Sequence, residues 1–216
     1  VLADEEKQLG TALLGLGGGP SDLAVFSGHN IKHTFVLALG GDNLTNDIAV
    51  GLRAPLVEAE KIKKKYGSCL AAAISGEEAI EVPGMGGRKP RKLPRQILGE
   101  ILEPRMEEIF NLIKREIYRS EMENNVSSGV VVTGGTSLLE GVSEIAEAVL
   151  GLPARLGKPR NIFGLTDVVN NPMYATGVGL VLYGAQHEPE KKFRIRDKNI
   201  FNSLIQRMKR WFKEVI

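Results

Sequence analysis

Three clusters of glycine residues are the part of this chain whose type and spacing best suit chemistry. Gly17-Gly18-Gly19, Gly40-Gly41 and Gly134-Gly135 each follow an apolar run. Glycine lets a backbone come close to a phosphate, with its N–H groups directed at the oxygens. One such turn is weak evidence, because tight turns use glycine for steric reasons alone, but three in this order favour a phosphate site. None fits the P-loop or the GxGxxG pattern that opens a helix.

The apolar runs beside these clusters predict the strands that hold them. Residues 11–16 and 23–27 predict a hairpin around the first cluster, and residues 31–39 predict a third strand. Residues 129–133 read as a buried strand that ends at the third cluster, and residues 154–156 predict one more short strand.

Helical periodicity fills the intervals between the strands. Asp42 or Asn43 can cap a helix after the second cluster, and a further helix is predicted to end at Tyr66. The longest helical pattern covers residues 97–117, where Pro104 predicts a kink or a break. Two later helices are predicted at about residues 138–150 and 172–184.

Strands and helices alternate, so the predicted fold class is α/β. Residues 1–44 and 126–185 would form a sheet subdomain that carries the glycine clusters. The helix-rich residues 45–125 would form an inserted lobe. A polar linker over residues 186–199 would follow.

The last seventeen residues, 200–216, predict an amphipathic helix. At about 100° per residue, the large apolar side chains occupy one half of the helix and the polar, mainly basic ones the other. The stretch from Gln186 to Ile216 holds nine Lys or Arg and four acids, so its formal net charge is +5. The whole chain has a net charge of +2, so the remaining residues together carry −3. A basic polar face suits anionic lipid. The membrane-binding residues are predicted to be Phe201, Leu204, Ile205, Arg207, Met208, Lys209, Arg210, Trp211, Phe212 and Lys213.

A protein groove is the alternative partner for this helix. The apolar face covers about half of the circumference and includes two aromatic residues, whereas a coiled-coil seam is narrower and prefers Leu or Ile. A lipid surface is therefore the leading interpretation, and reversible anchoring is expected.

Composition excludes several other functions. Cys69 is the only cysteine, so an internal disulfide is impossible and a reducing, cytoplasmic compartment is expected. The three histidines are scattered, and no cluster of His, Cys or carboxylate has the spacing of metal ligands. The basic run at residues 88–92 has no interleaved aromatic residues, so no nucleic-acid partner is expected. The start shows no signal peptide, and no run approaches the roughly 20 apolar residues that span a bilayer.

Four segments resemble a known superfamily. GLGGGPSDLAVF resembles the second phosphate hairpin of actin-like (ribonuclease H-like) ATPases, and VVVTGGTSLLEGV resembles their adenosine motif. GGDNLTNDIAVGL and AEKIKKKYG resemble the helices that face the nucleotide. Within this superfamily the chain is most similar to the FtsA family of bacterial cell-division proteins, in which a linker and a terminal amphipathic helix follow the ATPase body. The resemblance covers nearly the whole chain and corresponds to the second half of the family's sequence.

The resemblance implies a site for ATP with Mg²⁺. Glu60 and Lys63 would reach the ribose and base. Two positions depart from the family's pattern: Gly15 stands where the family has an acidic residue that holds Mg²⁺ through water, and Pro20 removes an N–H donor. Binding is therefore expected to be poor, and the chain to be at most a weak ATPase. The residues that would lie against the β- and γ-phosphates are Gly17, Gly18, Gly19 and Ser21. Those that would pack against adenosine are Gly134, Gly135 and Thr136.

The resemblance also implies partners and a location. A protein of this family would polymerise, bind the tail of FtsZ through its inserted lobe, and hold the FtsZ ring on the cytoplasmic side of the inner membrane at the division site. Two alternatives remain: an actin-like adaptor of pilus assembly, and a relative of the sugar or acid kinases. Gly15 and the absence of a first ATPase half argue against the kinase.

Overall fold

A computed structural model describes residues 1–86, 88–162 and 166–187, without the side chains of residues 166 and 167. The predicted terminal helix at residues 200–216 and most of the predicted linker lie outside the described residues. Residues Val1–Gly179 form one compact unit. Among the described residues, no helix is both long and apolar enough to cross a membrane.

A five-stranded sheet in the order β3-β2-β1-β6-β7 forms the centre of this unit. The first three strands are antiparallel neighbours, and β6 runs parallel to both β1 and β7. A separate antiparallel pair joins β4 to β5. The strands are β1 (Thr11–Leu16), β2 (Ser21–Ser27), β3 (Asn30–Leu37), β4 (Ala79–Val82), β5 (Arg91–Pro94), β6 (Val130–Thr133) and β7 (Ala154–Leu156).

Seven α-helices are found in the described part of the chain. They are α1 (Asp4–Leu9), α2 (Gly41–Gly51), α3 (Leu56–Tyr66), α4 (Gln96–Arg119), α5 (Val142–Leu150), α6 (Thr166–Val169) and α7 (Ala175–Gln186). Short 3₁₀ turns at Ala71–Ala73, Glu123–Asn125, Gly135–Leu138 and Pro172–Tyr174 complete the order. The predicted hairpin and the alternation of strands and helices are confirmed.

A single apolar cluster joins the sheet to the helices. Alternate side chains of β1, such as Leu14 and Leu16, are fully buried, as period-two patterning requires. The same cluster contains Phe110 from α4 and Val82 from β4. The predicted boundaries at residues 44 and 126 stay a prediction, because one core spans both sides of them.

Two local predictions about helix α4 and helix α5 need correction. Pro104 lies inside α4 and does not end it, so of the predicted kink or break the break is wrong and the kink stays a prediction. Pro104 and Glu100 are both exposed, so water can reach the Glu100 carbonyl that proline leaves without a donor. Helix α5 begins at Val142 rather than near residue 138, because a 3₁₀ turn and Gly141, at a φ of 85°, precede it.

The N-terminus of α2 also differs from its predicted form. The N-cap is Gly40, and Asn43 acts from inside the first turn, where its Oδ1 accepts the Gly40 N–H at 3.0 Å. A Cβ atom on Gly40 would lie 2.8 Å from the Gly17 oxygen and 3.0 Å from the Gly18 oxygen. Glycine is needed here because the backbone of the first hairpin packs directly against the start of α2.

Replacing Phe110 tests the shared core. Phe110 is 0 % exposed, so Phe110→Ala should lower the free energy of unfolding by about 3–5 kcal/mol in a denaturant titration. The matched control is Glu107→Ala on the exposed face of the same helix, with an expected change within about 0.5 kcal/mol. Equal effects of the two substitutions would contradict the assignment of Phe110 to the core.

Candidate functional site

A cleft of about 420 Å³ lies at the C-terminal ends of the parallel strands β1 and β6. Crevices at this edge of an α/β sheet are the usual place for a ligand. The lining includes five of the nine residues predicted for the cofactor: Gly18, Glu60, Lys63, Gly135 and Thr136. It also includes Asp42, Lys64, Leu138, Leu139 and Met173.

The three glycine clusters meet beside this cleft. The Gly17 N–H donates to the Pro20 oxygen at 3.1 Å, which closes the first hairpin. The Gly17 oxygen accepts the Gly41 N–H at 2.9 Å and the Thr136 hydroxyl at 2.8 Å. One carbonyl thus joins the first hairpin to the start of α2 and to the turn after β6.

These hydrogen bonds determine which backbone N–H groups remain available to a phosphate. The N–H groups of Gly41 and Asp42, at the start of α2, donate to the Gly17 and Gly18 oxygens. Within the described residues, the N–H groups of Gly18 and Gly19 have no acceptor, and a Cβ atom on Gly19 would meet nothing within 4 Å. The tip of the hairpin therefore offers two N–H donors to an anion.

Ser21 is not directed at the cleft. It is completely buried at the start of β2, and its hydroxyl donates to the Leu39 oxygen at 2.7 Å. The side chain braces the hairpin against the segment that leads into α2. The hydroxyl expected beside the phosphates is thus engaged by the protein itself.

Lys63 lies at the centre of a buried polar network between α2 and α3. Its Nζ donates to the Gly41 oxygen and to Thr45 Oγ1, each at 2.7 Å, and pairs with Glu60 Oε2 at 2.7 Å. Thr45 also donates to Glu60. All three ammonium donors are satisfied, as a buried cation requires. Lys63 therefore fastens the start of α2 to α3, and Glu60 presents its remaining oxygen at the cleft.

Glu60 stays ionised at this position. Burial raises the pKa of Glu60, but hydrogen bonds from Lys63, Thr45 and Lys64 outweigh it and bring the pKa below its ordinary value of 4.5. The Lys64 Nζ lies 3.1 Å from Glu60 Oε1, and its side chain is 73 % exposed. Lys64 is therefore an exposed cation on the rim of the cleft.

An apolar wall stands opposite these charges. Leu138 and Met173 are 47 % and 52 % exposed, and both line the cleft with Leu139. The Gly134 N–H donates to the Pro172 oxygen at 3.1 Å, which brings the 3₁₀ turn at Pro172–Tyr174 to the end of β6. Sequence reasoning missed this wall. The two leucines directly follow the third cluster and could have been found, whereas Met173 lies too far along the chain.

Carboxylates near the hairpin are few. Asp22 is the cross-strand neighbour of Gly15, and both line a hollow of about 330 Å³ on one face of the sheet. Asp42 Oδ1 would lie 3.6 Å from a Cβ atom on Gly18. Among the described residues, no group of three His, Cys, Asp or Glu could hold a metal ion. Any divalent ion here would depend on a bound phosphate for its remaining ligands.

The order of strands and helices, together with the glycine-lined cleft, identifies the fold as that of an actin-like ATPase. An MreB 5 structure from Spiroplasma citri, solved bound to AMPPNP, matches with a TM-score of 0.70 at 20 % identity over 93 % of this chain and 57 % of that one. A MamK double helical filament matches with a TM-score of 0.53 at 15 % identity over 77 % of this chain and 54 % of that one. At these identities the likeness shows the fold alone.

Residues 12–179 match the family model described as Cell division protein FtsA, so the chain belongs to the FtsA family. The FtsA of Pseudomonas aeruginosa is 44 % identical over 98 % of this chain and 52 % of its own length. The FtsA of Escherichia coli K12 is 36 % identical over 99 % of this chain and 53 % of its own length. The chain spans about half the length of the curated relatives it matches. The resemblance found in the sequence is confirmed.

The two glycines of the third cluster should respond differently to substitution. Gly134 has a φ of 94°, and a Cβ atom there would lie 2.8 Å from the Leu16 carbonyl carbon, so Gly134→Ala should cost about 1–3 kcal/mol of stability. On Gly135 the nearest atom would be Met173 Cβ at 3.9 Å, so Gly135→Ala should change stability by no more than about 0.5 kcal/mol. Thermal unfolding of both variants measures the difference, and equal destabilisation would contradict the packing described.

Proposed function

We propose that this chain forms the nucleotide-binding and membrane-targeting half of a protein that polymerises and tethers the FtsZ ring to the cytoplasmic face of the inner membrane at the division site. The observation that carries the proposal is the FtsA family match over residues 12–179, together with a cleft lined by glycines of the first and third clusters and flanked by the second. The same match disfavours the pilus-adaptor and kinase alternatives.

The cleft suits ATP. The free N–H groups of Gly18 and Gly19 would bind the β- and γ-phosphates, since backbone amides at a glycine turn form a concave anion site. Glu60 would accept a ribose hydroxyl. The base would lie between the Lys64 side chain and the apolar wall of Leu138, Leu139 and Met173. The solved MreB 5 relative in fold was itself bound to a nucleotide analogue.

Mg²⁺ would enter this site with the phosphates. Magnesium keeps several waters and takes one or two carboxylates together with phosphate oxygens. Asp22, on β2 of the hairpin, and Asp42, at the start of α2, would hold the ion through water. Gly15 supplies no side chain at the position where the family has an acid, so slow hydrolysis is proposed.

The inserted lobe offers a site for the FtsZ tail. A groove of about 810 Å³ combines apolar side chains with four cations. Its shape and charge suit a peptide that carries apolar and acidic side chains. The apolar residues are Ala49, Val50, Ala54 and Met85, and the cations are Arg53, Arg88, Lys89 and Arg91.

The amphipathic helix predicted at residues 200–216, called the membrane foot below, is proposed as an anchor from its sequence. These residues lie outside the described part. Each large apolar side chain that enters lipid contributes about 1.5–3 kcal/mol when fully buried, and each basic residue about 1 kcal/mol near anionic lipid. Such anchoring is reversible for one copy. A filament with many feet would bind more tightly, because each further contact is intramolecular.

Charge reversal on α3 tests the ATP proposal. Lys64→Glu replaces the exposed cation of the cleft with an anion, so the Kd for ATP in calorimetry should rise by about tenfold or more. The control is Lys61→Glu on the same helix: Lys61 is exposed, pairs with Glu58 and does not line the cleft, so the Kd should stay within about twofold. Failure of the unsubstituted chain to bind millimolar ATP would overturn the nucleotide proposal.

Flotation with anionic liposomes tests the membrane proposal. Trp211→Glu places a charge in the apolar half of the foot, so most of the protein should leave the lipid fraction. Asn202→Glu introduces the same charge in the polar half and costs only electrostatic attraction, about 1 kcal/mol. Equal flotation of Trp211→Glu and the unsubstituted chain would refute the anchor.

A further inference from the structure

Arg95 joins three separate parts of the molecule through one guanidinium group. Its Nε donates to the Tyr66 oxygen at 2.8 Å, its Nη1 to Glu78 Oε2 at 2.7 Å and its Nη2 to Glu140 Oε2 at 2.6 Å. Each of the three nitrogens therefore has a partner. The Arg95 side chain is only 18 % exposed, so these charge-assisted bonds lie in a partly dry setting where they are strongest.

Two of these partners lie at the ends of the two segments that supply the walls of the nucleotide cleft. Tyr66 is the last residue of α3, the helix that brings Glu60, Lys63 and Lys64 to the cleft. Glu140 follows the 3₁₀ turn that brings Leu138 and Leu139 to the other wall.

A second contact beside Arg95 supports the same junction. The Cys69 N–H donates to the Glu140 backbone oxygen at 2.7 Å, and Ser68 pairs with Glu140 as an isolated β-bridge. The chain that leaves α3 thus lies against the chain that leaves the 3₁₀ turn. Backbone pairing aligns the two segments, and the guanidinium of Arg95 clamps their ends.

We propose that Arg95 is a positioning residue that sets the distance between the two walls of the cleft, although it does not line the cleft itself. The inference rests on the proposed function, ATP binding in that cleft. Its physical basis is that a site on two separate segments binds well only when both are held in place beforehand. Glu140 is the partner that matters for this role, because it is the link to the wall after β6.

Glu78 provides a matched control within the same cluster. It contacts the same guanidinium as Glu140, but it precedes β4 in the region of the small two-stranded sheet and belongs neither to α3 nor to the turn after β6. Both acids are about half exposed, at 47 % and 55 % for Glu78 and Glu140. Removing either one should therefore have a similar effect on overall stability, whereas only Glu140→Ala should disturb the cleft.

The experiment compares Glu140→Ala with Glu78→Ala in the full chain, using a fluorescent ATP analogue and hydrogen exchange. Glu140→Ala should raise the Kd by about three- to tenfold and speed exchange of the Cys69 amide by a similar factor. Glu78→Ala should leave both within about twofold. Arg95→Met should match or exceed Glu140→Ala, and the two glutamate variants decide the question if Arg95→Met does not fold.

The outcomes separate this inference from the proposed function. Equal changes in Kd for the two glutamate variants, or none in either, would overturn the positioning role. If the unsubstituted chain binds no nucleotide, the proposed ATP site fails. Hydrogen exchange of the Cys69 amide then tests the role of Arg95 by itself. Faster exchange of Cys69 in Glu140→Ala but not in Glu78→Ala would support the clamp, and unchanged exchange in both would refute it.

Discussion

The carbonyl oxygen of Gly17 accepts hydrogen bonds from the Gly41 N–H and the Thr136 hydroxyl, and the rest of the site depends on this junction. It requires three backbone segments to approach closely where side chains would collide. A Cβ atom on Gly41 would lie 2.5 Å from Thr136 Oγ1. The glycine clusters are therefore needed first for packing of backbone on backbone, and the exposed hairpin tip is a consequence of that packing.

The second constraint is the buried ammonium group of Lys63. A buried cation without partners would be costly, and the three acceptors around Lys63 come from both α2 and α3. The network therefore specifies how the two helices meet, and with them where Glu60 stands. Arg95, from the start of α4, holds Tyr66, the last residue of α3. Lys63 and Arg95 thus both fix the C-terminal part of α3, the helix that brings Glu60 and Lys64 to the cleft.

Much of this fold follows from local sequence, and the departures have non-local causes. Strand β1 was predicted with its observed bounds because a buried alternating run ends at a glycine turn. The predicted start of α5 lies too early because Leu138 and Leu139 fit the periodicity of that helix. The next residue, Glu140, instead pairs with Ser68, just beyond the end of α3. Met173 and Arg95 depend on partners distant in sequence, and no local pattern reveals those.

The hydrogen-bond donors and cations around the cleft suit a site that holds a nucleotide better than it cleaves one. The N–H groups at the start of α2, the hydroxyl of Ser21 and the ammonium of Lys63 are all consumed by the protein. Gly15 offers no carboxylate to a metal. Among the described residues, what remains are two N–H groups at the hairpin tip, the exposed Lys64 and an apolar wall, which suit the phosphates and the base of the proposed nucleotide. Hydrolysis needs groups that stabilise developing charge in the transition state, and few groups of this half are free to do so. A nucleotide bound here would therefore be held by both sides of the cleft rather than cleaved.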